Sequence, residues 1–223
     1  IDEGTLAETA KEITKSGGNT FSHPVDLADP VGLNDLVARI NREYGGVDIL
    51  VNISGGPPPT PAMNVPADSW TKYFQSMVLS MIYVTDLVLP SMRAKRWGRV
   101  ITSTSSGVIA PIANLCISNT LRSSLTAWSK TLAREVAPDG VTVNLVIPGR
   151  ISTQRTKQLD EARAKRENKT IEEVVKSSVA TIPMQRYGHP EEYASVVAFL
   201  ASNSASYITG TMIRVDGGMI QSL

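Results

Sequence analysis

The chain has 223 residues, of which 42% are hydrophobic, and this is enough for one α/β domain with a sizeable core. Its 22 Lys and Arg residues balance 21 Asp and Glu residues, so the net charge of +1 gives no basic surface for a nucleic acid or membrane partner. The single cysteine excludes an internal disulfide, and no uninterrupted apolar run reaches the roughly 18 residues that span a bilayer, so we expect a cytoplasmic protein.

In the first half of the chain, helical and strand patterns alternate. A helical stripe ends at a Gly-Gly pair, and the alternating stretch 19–25 predicts a short strand before a capped helix. The run VDILVNI at 47–53 is rich in β-branched residues, as in a strand that is buried on both faces of a parallel sheet. A long helix is predicted over 68–92, with Pro90 as a kink.

The second half continues the alternation. The patterns predict strands at 99–104, 141–147 and 211–215, and helices at 119–136, 170 onward and 190–200. Strands that alternate with helices predict an α/β fold: a doubly wound parallel sheet with helices on both faces, in a single domain over 1–223. In such sheets, ligands bind beyond the carboxyl ends of the strands, so the residues that follow each strand are the candidate site.

Four segments, in order and at matching spacings, resemble one family. VDILVNISGG, GRVITSTSS, LAREVAPDGVTVNLVIPGRIST and ASYITGTMIRVDGG are similar to motifs of the short-chain dehydrogenase/reductase family, in particular its 3-oxoacyl-carrier-protein reductases. The resemblance implies a Rossmann-type fold that binds NAD or NADP and transfers hydride to or from a small carbonyl or alcohol substrate. It also implies a homo-oligomer, a dimer or tetramer.

At the N-terminus the sequence departs from the family pattern. No G-x-x-x-G-x-G precedes the first helix, so the backbone cradle for the cofactor diphosphate, with the strand on either side of it, is missing. We therefore interpret the chain, which begins at Ile1, as a truncated, N-terminally incomplete domain that binds its cofactor weakly. The stretch 19–25 is expected to lack its usual neighbouring strands.

The catalytic positions also depart from the family pattern. By resemblance, the family's serine, tyrosine and lysine fall on Ser105, Ser118 and Arg122, and its supporting asparagine falls on Met77. A serine hydroxyl is not acidic near neutral pH and an arginine stays protonated, so Ser-xxx-Arg cannot transfer protons as Tyr-xxx-Lys does. Arg122 can instead bind a ribose hydroxyl or a substrate carboxylate. Two functions stay open: an oxidoreductase with an atypical active site, and a non-catalytic ligand-binding or partner subunit.

Further site residues follow from the same resemblance. The cofactor-binding candidates are Asp26, Asn52, Gly55, Pro148, Gly149, Ile151 and Thr153. In the family, the segment matching PGRIST contacts the nicotinamide carboxamide and the acidic residue matching Asp26 contacts adenine, although an aspartate after a strand is also an ordinary turn former. The two histidines have no partners at ligand spacing, so no metal site is predicted.

Two other features bear on the function. Tyr187 and Tyr207 are the alternative sources of the missing phenol, although their spacing does not place them in the cleft.

The predicted homo-oligomer would use the helices 68–95 and 119–136, which in relatives pair across a twofold axis. Their candidate interface residues are Met77, Met81, Val84, Leu125 and Trp128.

Overall fold

Four parallel strands form one sheet in the order β1-β2-β3-β4 within residues 3–222, the part of the chain that the computed structural model describes. The strands are β1 (Ile49–Asn52), β2 (Gly98–Ser103), β3 (Val141–Pro148) and β4 (Met212–Val215). The helices are α1 (Glu3–Lys15), α2 (Pro30–Tyr44), α3 (Ala67–Phe74), α4 (Ser80–Lys95), α5 (Cys116–Val136), α6 (Gln154–Glu167), α7 (Ile171–Val179) and α8 (Pro190–Ala201).

Helices cover both faces of this sheet. On one face, α2, α4 and α5 pack against β2 and β3 through side chains such as Met92, Val100 and Val143, which are fully buried. On the opposite face, α8 packs against Ile101 and Val146. Successive strand residues point to opposite faces, so β2 and β3 are buried along nearly their whole length. The predicted doubly wound parallel α/β sheet is confirmed.

The prediction of a strand at 19–25 is wrong. This segment has no regular secondary structure, although Phe21 stacks on Tyr44 of α2 with the ring centroids 5.7 Å apart. A strand requires a neighbour for its backbone N–H and C=O groups, and no strand of the described residues lies beside this segment. At that edge β1 is open, and Ile49 and Val51 are 42% and 40% exposed.

The long helix predicted from 68 spans Ala67–Lys95. It runs through Pro90, and its geometry changes at Gln75–Leu79, which form a π-helical turn between α3 and α4. Among the described residues, this is the span that length and composition would allow to cross a bilayer. Its residues Met77 and Met81 are each 2% exposed and pack against α5, as in the core helix of a globular domain.

The burial of these methionines also changes the predicted oligomer surface. Met77, Met81 and Leu125 are interior residues of one chain and offer no surface to a second copy. Val84 and Trp128 are half-buried. The homo-oligomer therefore stays a prediction with less apolar surface behind it than the sequence indicated.

Two glycines with similar backbone angles allow the cost of a close contact to be separated from the cost of backbone strain. Gly45 and Gly140 end helical segments with φ of 76° and 75°, but a Cβ added at Gly45 meets nothing within 4 Å, while one at Gly140 would lie 2.2 Å from the Arg96 carbonyl oxygen. We expect Gly45→Ala to lower the free energy of unfolding by about 1 kcal/mol and Gly140→Ala to lower it by clearly more. Urea unfolding of both variants measures the difference, and equal losses would contradict the close contact.

Candidate active site

Arg122 lies at the carboxyl ends of β1 and β2. It belongs to the first half of α5, is 8% exposed, and donates hydrogen bonds to three backbone carbonyls: Ser54 at 3.2 Å, Gly55 at 3.1 Å and Ser103 at 3.3 Å. The first two carbonyls follow β1 and the third ends β2. One cation thus joins two strand ends at the sheet edge where doubly wound folds bind ligands.

Ser118 lies one helical turn before Arg122 on the same face of α5. It is 9% exposed, and no hydrogen bond of its hydroxyl is found within the described part of the chain. The helix begins at Cys116, earlier than the predicted 119, so Ser118 is not a capping residue. The hydroxyl is therefore available to a ligand or water.

Ser105 follows β2 and is half-buried. Its Oγ accepts a hydrogen bond from the Gly107 N–H at 3.1 Å, and this bond caps the short 3₁₀ turn that follows Ser105. A Cβ on Gly107 would lie 2.3 Å from Asn119 Oδ1, so this turn packs directly against the start of α5. The structure thus brings the turn of Ser105 beside the helix that bears Ser118 and Arg122.

The loop after β1 forms one wall of the cleft. Arg122 binds its first carbonyls, Arg155 of α6 donates from Nη2 to the Pro57 carbonyl at 2.9 Å, and the Cys116 N–H donates to the Thr60 carbonyl at 3.1 Å. The first turn of α6 therefore faces this loop across the strand ends. Arg155 was not among the predicted site residues, although its position two residues after the PGRIST match was a usable signal.

The predicted nicotinamide segment, Pro148–Thr153, lies at the end of β3 and leads into α6. Gly149 donates to the Val215 carbonyl at 2.8 Å, and a Cβ on it would lie 2.6 Å from Asp216 Cα, so the close approach of the β4 end requires glycine here. Ile151 is 9% exposed and pairs with Gly188, and the hydroxyl of Thr153 caps α6. These residues position the start of α6 at the cleft.

Two other cofactor candidates have local structural roles. Asn52 is 5% exposed, and its amide donates to the hydroxyls of Thr85 and Thr102, which ties β1 to α4 and β2. Asp26 is exposed, and its carboxylate accepts from the Ala28 N–H at 2.9 Å in a tight turn. Gly55 contributes its carbonyl to Arg122, and a Cβ on it would meet nothing within 4 Å.

Burial governs the electrostatics of the cleft. It lowers the pKa of the Arg122 guanidinium, and the nearby Arg155 lowers it further, but arginine starts so high that Arg122 stays charged. Tyr193 of α8 bonds to Ser103 Oγ at 2.7 Å and to the Val146 carbonyl at 3.1 Å. Burial raises the pKa of this phenol above its ordinary value, so Tyr193 anchors α8 as a neutral group. The sequence offered no signal for it, because the contact joins residues 90 positions apart.

The two alternative phenols are placed elsewhere. Tyr187 donates to Asp160 Oδ2 at 2.9 Å, and burial raises the pKa of its phenol. The phenol therefore stays neutral and is bonded to α6 rather than to Ser118. Tyr207 is fully exposed. Neither replaces the family tyrosine in the cleft.

Comparison with known proteins places this chain in a family. Residues 1–220 match the family model described as Enoyl-(Acyl carrier protein) reductase. The chain is 36% identical to the 3-oxoacyl-[acyl-carrier-protein] reductase FabG of Salmonella typhimurium, over 98% of this chain and 86% of that protein. The short-chain dehydrogenase/reductase resemblance of the sequence motifs is thus confirmed.

Solved structures agree with this assignment. The L-sorbose reductase of Gluconobacter frateurii, solved with NADPH and L-sorbose, is 30% identical with a TM-score of 0.92, over 100% of this chain and 85% of that one. YwfH, an NADPH-dependent reductase involved in bacilysin biosynthesis, is 29% identical with a TM-score of 0.91, over 97% and 85% of the two chains. The chain belongs to the short-chain dehydrogenase/reductase family of oxidoreductases.

Proposed function

We propose that the chain is an NAD(P)-dependent oxidoreductase that transfers hydride to or from a small carbonyl or hydroxyl substrate, with Ser105, Ser118 and Arg122 at an atypical active site. The observation that supports this best is the buried charge of Arg122 at the two strand ends, where it is 8% exposed. A buried charge is costly unless it serves structure or ligand, and this one lies at the ligand-binding edge of the sheet. The relatives that are reductases, one of them named as NADPH-dependent and another solved with NADPH, support the same reaction class.

The described residues fit the nicotinamide half of such a cofactor. The open backbone at Gly55, the charge of Arg122 and the segment 148–153 surround the strand ends where a nicotinamide and its ribose would be held. Residues 3–222 contain no glycine-rich turn for the diphosphate. When bound, the cofactor supplies or accepts the hydride, and the side chains of the site bind and polarise the oxygen of the substrate.

The side chains of the site can bind and polarise that oxygen. Ser105 Oγ accepts from Gly107, which leaves its own proton free to donate to a carbonyl oxygen. Arg122 adds positive charge one turn from Ser118, which favours a developing oxyanion. Since no phenol lies at Ser118, the proton that completes reduction comes from water, relayed through the Ser118 hydroxyl.

Titration with NADH and NADPH tests this proposal. We expect weak, saturable enhancement of nicotinamide fluorescence at high micromolar to millimolar cofactor, followed by slow cofactor oxidation with a panel of ketones. Ser105→Ala should reduce turnover about 10²-fold while cofactor binding is unchanged, because it removes one donor to the oxyanion. Absence of binding for both cofactors at millimolar concentration would refute the proposal.

The second candidate is a non-catalytic family member that binds a ligand or acts as a partner subunit. It is favoured by one observation, that all hydrogen bonds of the Arg122 guanidinium go to backbone carbonyls and none goes to a side chain of the site. Cofactor binding without turnover of any ketone or alcohol would select this candidate. In either case, we propose a cytoplasmic homo-oligomer.

A further inference from the structure

The two arginines that face each other across the cleft lack carboxylate partners. Among the described residues, seven of the other eleven arginines lie within 4.0 Å of a carboxylate oxygen, and Arg96, Arg99, Arg134 and Arg214 do not. Arg122 and Arg155 instead contact only backbone carbonyls. Their positive charges are therefore not neutralised by a carboxylate. Arg122 is buried, which weakens the screening of its charge by water, whereas Arg155 is exposed at the edge of the cleft.

The two guanidinium groups converge on one point beside Gly56. A Cβ built on Gly56 would lie 3.3 Å from Arg155 Nη2 and 4.0 Å from Arg122 Nη2. Proximity of like charges is unfavourable, and Arg155 lowers the pKa of Arg122. An anion at this point would reverse that repulsion and gain charge-assisted hydrogen bonds from both sides.

A buried hydroxyl two residues before Gly56 in the chain also lacks a partner. Ser54 Oγ is buried without a hydrogen bond, and it is the only such side-chain atom among the described residues. The Ser54 carbonyl is one of the acceptors of Arg122, so the hydroxyl belongs to the same turn of chain. Buried polar groups are nearly always satisfied, and an unsatisfied one calls for a ligand or water.

We propose that Arg122 and Arg155 form an oxyanion site at Gly56 that takes the carboxylate of an acidic carbonyl or hydroxyl substrate, such as a keto acid or hydroxy acid. The inference rests on the proposed oxidoreductase function, for which it names the substrate class. A planar guanidinium matches the two oxygens of a carboxylate. The cofactor diphosphate in doubly wound folds lies on the helix N-terminus of a glycine-rich turn, whereas Gly56 is followed by three prolines and a loop.

Direct binding of malonate, compared with its neutral diamide malonamide, tests the site without any turnover. We expect calorimetric binding of malonate and none of malonamide. Arg155→Gln should weaken malonate about 10- to 100-fold, because it removes a charged donor from an exposed position that does not support the core. The control is Arg166→Gln on the same helix, whose charge already pairs with Glu167 at 3.6 Å, and which should leave the affinity within twofold.

A second variant supplies the anion from the chain itself. Gly56→Asp places a carboxylate between the guanidiniums, so we expect it to abolish malonate binding and raise the melting temperature by about 2 °C. The size-matched Gly56→Asn lacks the charge and should not raise it. A lower melting temperature for Gly56→Asp than for Gly56→Asn would overturn the proposal, because it would mean that no excess positive charge is present there.

Four further outcomes test the substrate-carboxylate site against a cofactor-phosphate site and against the proposed function. Equal binding of malonate and malonamide, or an Arg155→Gln affinity within twofold of the parent, would overturn the carboxylate site. Loss of NADPH affinity in Arg155→Gln with malonate binding unchanged would overturn it in favour of a cofactor phosphate. Arginine-dependent malonate binding in a chain that binds neither NADH nor NADPH would support the site while refuting the proposed function.

Discussion

Ser118→Tyr is expected to raise the rate of reduction of a neutral ketone by about 10²- to 10⁴-fold, the usual contribution of a positioned general acid. The new phenol would lie one helical turn from Arg122, whose charge favours the phenolate and so lowers the phenol pKa toward neutrality. Ser118 is 9% exposed on α5, at the position onto which the resemblance to the family places its tyrosine. The measurement is NADPH oxidation at saturating ketone.

The control is Ser118→Phe, which has the bulk of tyrosine without the hydroxyl. It should bind cofactor like the tyrosine variant and give no gain in rate. Because the gain depends on proton transfer, the rate of the tyrosine variant should also vary with pH, whereas that of the phenylalanine variant should not. A tyrosine variant that is no faster than the phenylalanine variant would show that the phenol is not the missing group.

Asp160→Ala is expected to lower the free energy of unfolding by about 3 kcal/mol, because it removes one partner of a largely buried ion pair. The Asp160 side chain is 3% exposed, accepts from Arg150 Nη1 at 2.6 Å and accepts from the Tyr187 hydroxyl at 2.9 Å. These bonds link α6 to Arg150, which follows β3, and to Tyr187, which precedes α8. Loss of the carboxylate leaves Arg150 without its anion and frees the start of α6, where Arg155 lies.

An exposed ion pair provides the comparison for this variant. Arg39 and Glu43 lie one turn apart on α2, with side chains 39% and 37% exposed and 2.9 Å between Nε and Oε1. Glu43→Ala should cost only about 0.3–0.5 kcal/mol, because water and salt screen an exposed pair. Urea unfolding measures both, and similar losses would contradict the special burial of Asp160.

The central strands and their order of appearance were predictable from local sequence. Runs such as VTVNLVI are rich in β-branched residues, and in the structure β3 spans Val141–Pro148 with nearly every residue buried. The capping box at Thr170 likewise predicts α7, because the Thr170 hydroxyl and the Glu173 carboxylate bond reciprocally to nearby backbone N–H groups. Such features depend on residues a few positions apart.

Other elements depended on partners far along the chain. The stretch 19–25 has the alternation of a strand, but alternation cannot supply the neighbour that its backbone needs. Helix α5 begins at Cys116 and not at the predicted residue 119, because the Thr60 carbonyl accepts from the Cys116 N–H at 3.1 Å. This contact joins distant segments of the chain. Met77 was predicted as a residue of the oligomer interface, but in the fold it belongs to the core beside α5.

For the site, the sequence by itself determined the residue types and their spacing on one helix: a serine and an arginine one turn apart, with no phenol. Only the tertiary structure decided what Arg122 contacts, because Ser54, Gly55 and Ser103 reach it through the parallel pairing of β1 with β2. It also brought Arg155 to the same loop and left Tyr187 and Tyr207 outside the cleft. A local pattern specifies which chemistry a side chain can perform, whereas long-range packing decides which charges and backbone groups lie within reach of it.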